Sequence, residues 1–564
     1  MRTTWPLLLA LAAVLLGPIL LRPKQERGSS GDARALVIIT PHNESIRSEF
    51  GRAFEAHYFS KTGQRVRVDW RTPGGTSEIG RYVASEYLAA FQNHWTDSLG
   101  RAWSKAVEGG FDNAKVTPGK DPAQDTPEQQ ARRAFLASEV GCKIDLFFGG
   151  GAYDFQQQAK AGRLVDCGFI AAHPELFGDG PGKIPQTLSG EPYWDPQGRW
   201  IGNVVSSFGI CYNTDSLARL SIPPPVRWAD LGDPRFVHEI ALANPTQSSS
   251  VNKAFEMLIQ QQMMLAVEQG REAQAEEKIR RLYESATPAA SIRIFDDGKI
   301  SPEAEKAAVT EGWTQAMRLL MKIGANARYF TDSSTKIALD VEAGEAAAGM
   351  TIDFYGRFQS EAVRRPDGSS RLQYVNAAGG TSVGVDPIGL FRGAPNADVA
   401  REFIAFVMSP DGQKLWNWKV GAPGGPQRYA LRRLPVLPAL YAPEFRPLRS
   451  DPEVDPYMLA QTFTYHDAWT GALFRSIAFT FRVMCIDPHD ELTAARRALI
   501  EADFPPEAVA AFEDVSAVDY AAAGGRIREA LSGDKIKEVQ LAKELADGFR
   551  RQYQRAAELA RAHR

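Results

Sequence analysis

Six short turns in this chain carry the residue types that hold small polar groups. They read Thr40-Pro41-His42-Asn43-Glu44-Ser45, Thr72-Pro73-Gly74-Gly75-Thr76-Ser77, Gly149-Gly150-Gly151, Thr246-Gln247-Ser248-Ser249-Ser250, Ser333-Ser334-Thr335 and Asp353-Phe354-Tyr355. Glycines let a backbone approach a ligand, hydroxyls donate or accept, and a helix beginning just after such a turn offers unpaired N–H groups. That chemistry is recognition of an oxyanion such as a phosphoryl, phosphonyl or carboxylate group. No basic residue stands inside these turns, so the donors are expected to be neutral. The carboxylates of Glu44, Glu78 and Asp353 are then available to read an amine or hydroxyl on the same solute. Each residue also has a purely structural reading: Asn43, Ser77, Thr246 and Ser333 suit helix caps, and Glu44 and Glu78 suit helix dipoles.

Bond-breaking chemistry has weaker support. Gly380-Thr381-Ser382-Val383-Gly384 matches G-x-S-x-G, with His466 and His489 further on. That motif needs a helix directly after its serine, whereas Pro387 pushes Asp386 out of helical geometry. A serine hydrolase is thus a remote alternative. Asp487-Pro488-His489-Asp490 reads as a helix start before Leu492 and not as a metal site, and the chain has no H-E-x-x-H. Of the four cysteines, Cys142 and Cys167 are candidates for a bridge in an exported protein, and Cys211, inside GICYN, reads as a buried thiol.

The turns sit where strands meet helices. Leu36–Ile39 is an apolar run suited to a strand buried on both faces, and Ile46, Phe50, Phe54 and Tyr58 form one stripe of a following helix. Val66–Trp70 and Ile144–Phe148 begin two more such units, so three turns point to one edge of a first α/β lobe, where open sheets bind ligands. Between them, Tyr87, Phe91, Trp95, Leu99 and Trp103 predict a core-facing stripe within an insertion over 87–140. WIGNVVSSFGICY, ending at Tyr212, is β-prone, and a second α/β lobe is expected from about Ser207, with Ile240–Ala243 and Ala346–Ile352 as buried strands. Leu372–Gly384 suits a return crossing. A last helix over 535–564 carries Ile536, Val539, Leu545, Phe549 and Tyr553 as a packing stripe.

A chain of 564 residues with 44% apolar content has material for more than one core. Lys+Arg 65 against Asp+Glu 68 leaves a net charge of −3, which argues against a nucleic-acid partner. The apolar run from Trp5 to Leu21, followed by a polar Gly/Ser tract to Asp32, reads as an export segment, either an uncleaved membrane anchor or a cleaved signal. Residues from about Ala33 onward are expected outside the cytoplasm.

LVIITPHNESI, GGTSEI, IDLFFGGG with AGRLVDCG, WADLGDPRF with IALANPTQSSS, and GAPNADVAREFIAFVMSPDGQKLW together resemble exported class II solute-binding proteins of ABC importers. The resemblance is to the branch that contains ferric-iron, phosphonate and sugar-phosphate binders, and it covers about Leu36 to Trp416. It implies an α/β, two-lobed periplasmic-binding-protein-like fold (type II) with an interlobe ligand cleft, plus a mainly helical C-terminal extension. The expected division is an anchor or signal segment with linker at 1–32, lobe 1 at 33–206 and 376–416, lobe 2 at 207–375, and the extension at 417–564.

The cleft residues implied are His42, Asn43, Glu44, Ser45, Gly74, Gly75, Thr76, Ser77, Gly150, Gly151, Thr246, Ser248, Ser249, Ser250, Ser333, Ser334, Asp353 and Tyr355. Relatives that bind iron use two adjacent tyrosines, of which only Tyr355 stands here, after Phe354. Were ferric iron the cargo, His42, Glu78, Asp353 and Tyr355 would be its ligands. The resemblance implies no catalysis and no resident cofactor, a periplasmic location tethered through residues 5–21, and an ABC permease and ATPase as partners. Two readings stay open beside capture of a small anionic solute: ferric-iron import, and a membrane-anchored sensor.

Overall fold

A computed structural model describes residues 33–284, 300–533 and 535–563. The export segment lies outside the described residues. Among those described, no helix is long and apolar enough to cross a membrane.

Among the described residues fourteen strands follow in chain order: β1 Arg34–Ile39, β2 Val66–Arg71, β3 Leu146–Phe148, β4 Leu164–Val165, β5 Thr187–Leu188, β6 Glu191–Pro192, β7 Ile201–Ser206, β8 Phe208–Asn213, β9 Ile240–Ala243, β10 Ala327–Thr331, β11 Ala348–Ile352, β12 Leu372–Asn376, β13 Gly384–Phe391 and β14 Leu434–Pro435. Lobe 1 holds a sheet in the order β14-β7-β13-β3-β1-β2, with β4 beside β13. Lobe 2 holds β10-β9-β11-β8-β12, and β5 and β6 form a separate hairpin.

The first helix shows why the chain folds as it does. Asn43 caps Glu44–Thr62 by accepting from the Ile46 N–H, and Ile46, Phe50, Phe54 and Tyr58 are all buried. β1 runs parallel to β2 and β3, so the turns that follow these strands emerge at one sheet edge. The apolar run of WIGNVVSSFGICY is two strands rather than one. Ser207 breaks it, sending β7 into lobe 1 and β8 into lobe 2, and residues 377–383 make the return. These crossings are stitched together: Phe208 N donates to Thr381 Oγ1 at 2.8 Å, and Asn376 Nδ2 to Ser207 Oγ at 2.6 Å.

Two apolar cores result, one per lobe, and the C-terminal region serves both. Trp418 to Ala460 packs on the lobe 1 core and Phe463 to Ala560 on the lobe 2 core. In the insertion, Tyr87, Phe91 and Trp95 are buried as expected, with Phe91 stacked on Phe111 at 4.8 Å, whereas Leu99 is exposed. The helix Lys535–Ala562 buries Leu545, Phe549 and Tyr553. Ile536 and Val539, expected in that stripe, are exposed, since the helix begins beyond the surface on which it packs. All four cysteines are free and buried. Helix His489–Glu501 does start at the Asp487–Asp490 motif, but with no side-chain cap.

Candidate functional site

A cavity of about 660 Å³ lies between the lobes. It is lined from lobe 1 by Thr40, His42, Gly75, Thr76, Gly151, Asp154 and Asp386, and from lobe 2 by Ser248–Ser250, Lys253, Ser333–Thr335 and Tyr355. Tyr465 and Phe474 of the C-terminal region complete the wall. The lobes touch across it: Thr76 Oγ1 donates to Ser249 Oγ at 2.9 Å, and the rings of Tyr153 and Phe474 stand 4.7 Å apart.

Two helices reach the cavity with open N-termini. Thr76–Asn93 and Ala152–Ala161 are preceded by Gly75 and Gly151, neither of which supplies a side-chain cap. Their first N–H groups are therefore free to bind an anion. Helix Ser334–Ala343 differs, because the Ser333 hydroxyl accepts from the Thr335 N–H.

Of the residues expected at the site, His42, Gly74, Gly75, Thr76, Gly150, Gly151, Ser248, Ser249, Ser250, Ser333, Ser334 and Tyr355 line this cavity. The others stand back from it. Asn43 caps its helix, Glu44 is exposed and Ser45 is half-buried in the first turn after that cap. Thr246 hydrogen-bonds Asn244, and Ser77 lies 3.5 Å from Ser249 Oγ at the lobe contact. Asp353 is buried behind the wall, where it takes the Phe354 N–H at 2.8 Å and faces Arg357 at 3.3 Å. Burial pushes its carboxyl up against the opposing pull of Arg357 and Arg433.

The residues named for iron are occupied separately. Glu78 pairs with Arg81 at 2.6 Å, Asp353 with Arg357, and the Tyr355 hydroxyl meets Thr335. Among the described residues no group of three or more His, Cys, Asp or Glu is disposed to hold a metal ion.

Beside the neutral donors expected, one cation lines this cavity, Lys253, and a second, Arg433, lies buried behind its wall. Arg433, fully buried, reaches Asp386 Oδ2 and Ser206 Oγ at 2.6 Å each and His42 Nε2 at 3.0 Å. Its guanidinium also lies 4.0 Å from the Phe354 ring of lobe 2. A guanidinium only donates, so His42 Nε2 accepts and the ring's proton is assigned to Nδ1, which finds no partner. Burial, with Arg433 adding to it, lowers the His42 pKa to about 4 and keeps the ring neutral. Burial alone would raise the Asp386 carboxyl, but the Arg433 guanidinium outweighs it and holds it below its usual range.

Lys253 stands one helical turn after Ser249, 2.7 Å from Glu191 of lobe 1 and 2.9 Å from Glu256, over the Tyr465 ring at 3.8 Å. Burial would lower its pKa, and the two carboxylates reverse that. Ser382 of the G-x-S-x-G match is fully buried, donates to Glu191 at 2.8 Å and is followed by β13 in place of a helix. It has no histidine beside it to act as a base.

Lys253 was within reach of sequence reasoning, being in phase with Ser249 and Ser250 on the next helix. Arg433 was not. It sits in the Pro/Arg-rich stretch beyond the resemblance, and only the pairing of β14 with β7 brings it under the cleft.

Residues 142–310 match the family of bacterial extracellular solute-binding proteins. The "Phosphoglycerate transport regulatory protein PgtC" of Salmonella typhimurium is 23% identical over 215 residues, 38% of this chain and 40% of that relative. A Haemophilus influenzae protein of no stated function is 24% identical over 283 residues, 50% of this chain and 62% of its own length. The chain therefore spans less than two thirds of either relative. The solved periplasmic binding protein AfuA of Actinobacillus pleuropneumoniae, with fructose-6-phosphate bound, aligns at a TM-score of 0.39 and 16% identity over 68% of this chain and 81% of that one. The segment 142–310 is thus similar to the bacterial extracellular solute-binding proteins, and it belongs to a two-lobed α/β fold with a largely helical C-terminal part.

Proposed function

We propose that this chain captures a small solute bearing an oxyanionic group, phosphoryl, phosphonyl or carboxylate, by closing its lobes around it. It then presents that solute to an ABC permease and its ATPase. The observation that carries the reading is the pair of glycine-preceded, uncapped helix N-termini at Thr76 and Ala152, opposite the hydroxyls of Ser248–Ser250 and beside Lys253. Donors fixed before the solute arrives cost little reorganisation, and two lobes joined by short crossings close as a hinge. The phosphoglycerate in the Salmonella relative's name is a solute of this class. Binding without catalysis is part of the proposal, as is tethering through residues 5–21.

The test is a thermal-shift panel on the purified full chain against phosphoglycerate, other sugar and triose phosphates, phosphonates, small carboxylates, ferric citrate and polyamines. A compound present at ~100 times its Kd adds ~2.7 kcal/mol of stability. The expected result is a shift with an oxyanion-bearing solute, reduced in Lys253→Met. A shift confined to ferric salts or to polyamines would overturn the reading.

The word "regulatory" in the Salmonella relative's name favours a second reading, in which the liganded chain signals to a membrane sensor. Crosslinking in membranes separates the two, since import requires capture of a permease.

A further inference from the structure

We propose that the C-terminal region makes a third, tight crossing between the lobes, and that this strap sets how far the cleft opens. The inference rests on lobe closure but not on which solute is captured.

Among the described residues the first two crossings are Ser207 and residues 377–383. The third follows from where the C-terminal region is anchored. Ala460 is buried in the lobe 1 core and Phe463 in the lobe 2 core, so only Gln461 and Thr462, both exposed, lie between anchors in different bodies. Ala460–Thr462 is a 3₁₀ turn. From Ala460 to Phe463 the chain spans ~6 Å at the 3₁₀ rise and at most ~11 Å when fully extended. At this point the lobes can therefore part by only ~5 Å before one anchor is drawn out of its core.

Beyond the crossing the chain is fixed to the lobe 2 helix Ser249–Glu284. Gln260 Nε2 donates to the His466 carbonyl and Gln260 Oε1 accepts the His466 N–H, both at 2.8 Å. The Tyr465 hydroxyl donates to Glu256 at 2.9 Å, and Asn252 Nδ2 donates to the Phe474 carbonyl at 2.7 Å. On the lobe 1 side the β5–β6 hairpin grips the same stretch: the Ser189 hydroxyl donates to the Phe463 carbonyl at 2.7 Å, and the Ser189 carbonyl accepts the Tyr465 N–H at 2.8 Å. That hairpin also meets the second crossing, where Ser382 donates to Glu191 at 2.8 Å. The crossings thus form one hinge, and Tyr465 and Phe474, which wall the cavity, travel with lobe 2. Such a restraint keeps the solute-free cleft near its closed form, and affinity rises in proportion to the population of the competent state.

Inserting about eight Gly/Ser residues between Gln461 and Thr462 adds up to ~26 Å of reach and leaves the contacts above in place. The control is the same insertion between Pro423 and Gly424, both exposed, in the half of the region that packs on lobe 1. Spin labels at Tyr82→Cys and Leu339→Cys, exposed positions on opposite lobes, report the separation in the full chain. Without solute, the insertion after Gln461 is expected to move the distance distribution outward by more than ~5 Å, and the control to leave it unchanged. Phe463→Ala, which loosens the lobe 2 anchor at unchanged chain length, is expected to move it the same way. Superimposable solute-free distributions for the wild type and the insertion after Gln461, or equal shifts from both insertions, overturn the inference. Should that insertion fail to fold, an unchanged distribution in Phe463→Ala overturns it. An outward shift without solute, followed by no response to any oxyanionic solute, upholds the strap while removing the capture reading.

Discussion

Arg433→Met tests the most heavily committed side chain at the cleft. Arg433 is fully buried and reaches Asp386, Ser206 and His42. Methionine keeps an unbranched apolar side chain between Phe354 and Trp416 but removes the charge, leaving Asp386 buried and uncompensated. Breaking such a pair from one side costs ~3–5 kcal/mol, most of it the penalty on the abandoned carboxylate. Removing the second charge as well relieves that penalty. Arg433→Met with Asp386→Asn is therefore expected to recover more than half of the loss, a coupling well above the few tenths expected of independent sites. The assay is urea unfolding of the four corners of this cycle, followed by tryptophan fluorescence, since Trp416 lies 5.4 Å from the guanidinium. A loss below ~1 kcal/mol in Arg433→Met, or simple additivity in the double variant, would refute the claim that Arg433 holds the floor of the cleft by charge.

Three further outcomes follow from the same geometry. The Asp154 carboxyl, near 6 when folded against 3.8 unperturbed, favours the folded state below about pH 4 and loses that contribution as pH rises through about 6. Asp154→Asn should therefore stabilise the ligand-free protein at pH 7.5, by roughly 1–3 kcal/mol, with little effect at pH 4. Denaturant midpoints at the two pH values check it. Gly149 has φ 88° and its Cα lies against the His42 ring. Gly149→Ala places a methyl group in that ring at an unfavourable φ and should cost ~2–4 kcal/mol by thermal denaturation. Thr76→Val removes the 2.9 Å bond to Ser249 that joins the lobes, and should weaken binding of an oxyanionic solute severalfold in calorimetry while moving the unliganded melting temperature little.

Local signals carried much of the fold. The stripe Ile46, Phe50, Phe54 and Tyr58 with its Asn43 cap and the strand at Ile240–Ala243 are read from periodicity and capping, which act over a few residues. Twelve of the eighteen expected ligand-binding positions line the cavity for the same reason: they belong to turns that follow strands at the facing edges of the two lobe sheets. Asn43, Thr246 and Asp353 fall outside because caps and side-chain pairs satisfy them locally, a competition that a lone sequence leaves undecided. Arg433 and Tyr465 were illegible for a different reason. Their place depends on contacts made hundreds of residues away, from Arg433 to His42 and from Tyr465 to Glu256, by a C-terminal region whose two halves pack on different lobes. The early exposed positions of the last helix, Ile536 and Val539, show the converse: an apolar stripe outruns the surface available to cover it.

Closure of the two lobes on a solute is the central claim, and the distance between them is its most direct measure. Spin labels at Tyr82→Cys on lobe 1 and Leu339→Cys on lobe 2 use two exposed helix positions, and the native cysteines are buried. Pulsed electron–electron distance measurements should give a broad distribution with a long component in the free protein. A single short distance should appear with a saturating oxyanionic solute identified by the thermal-shift panel. Superimposable distributions with and without that solute would contradict the account.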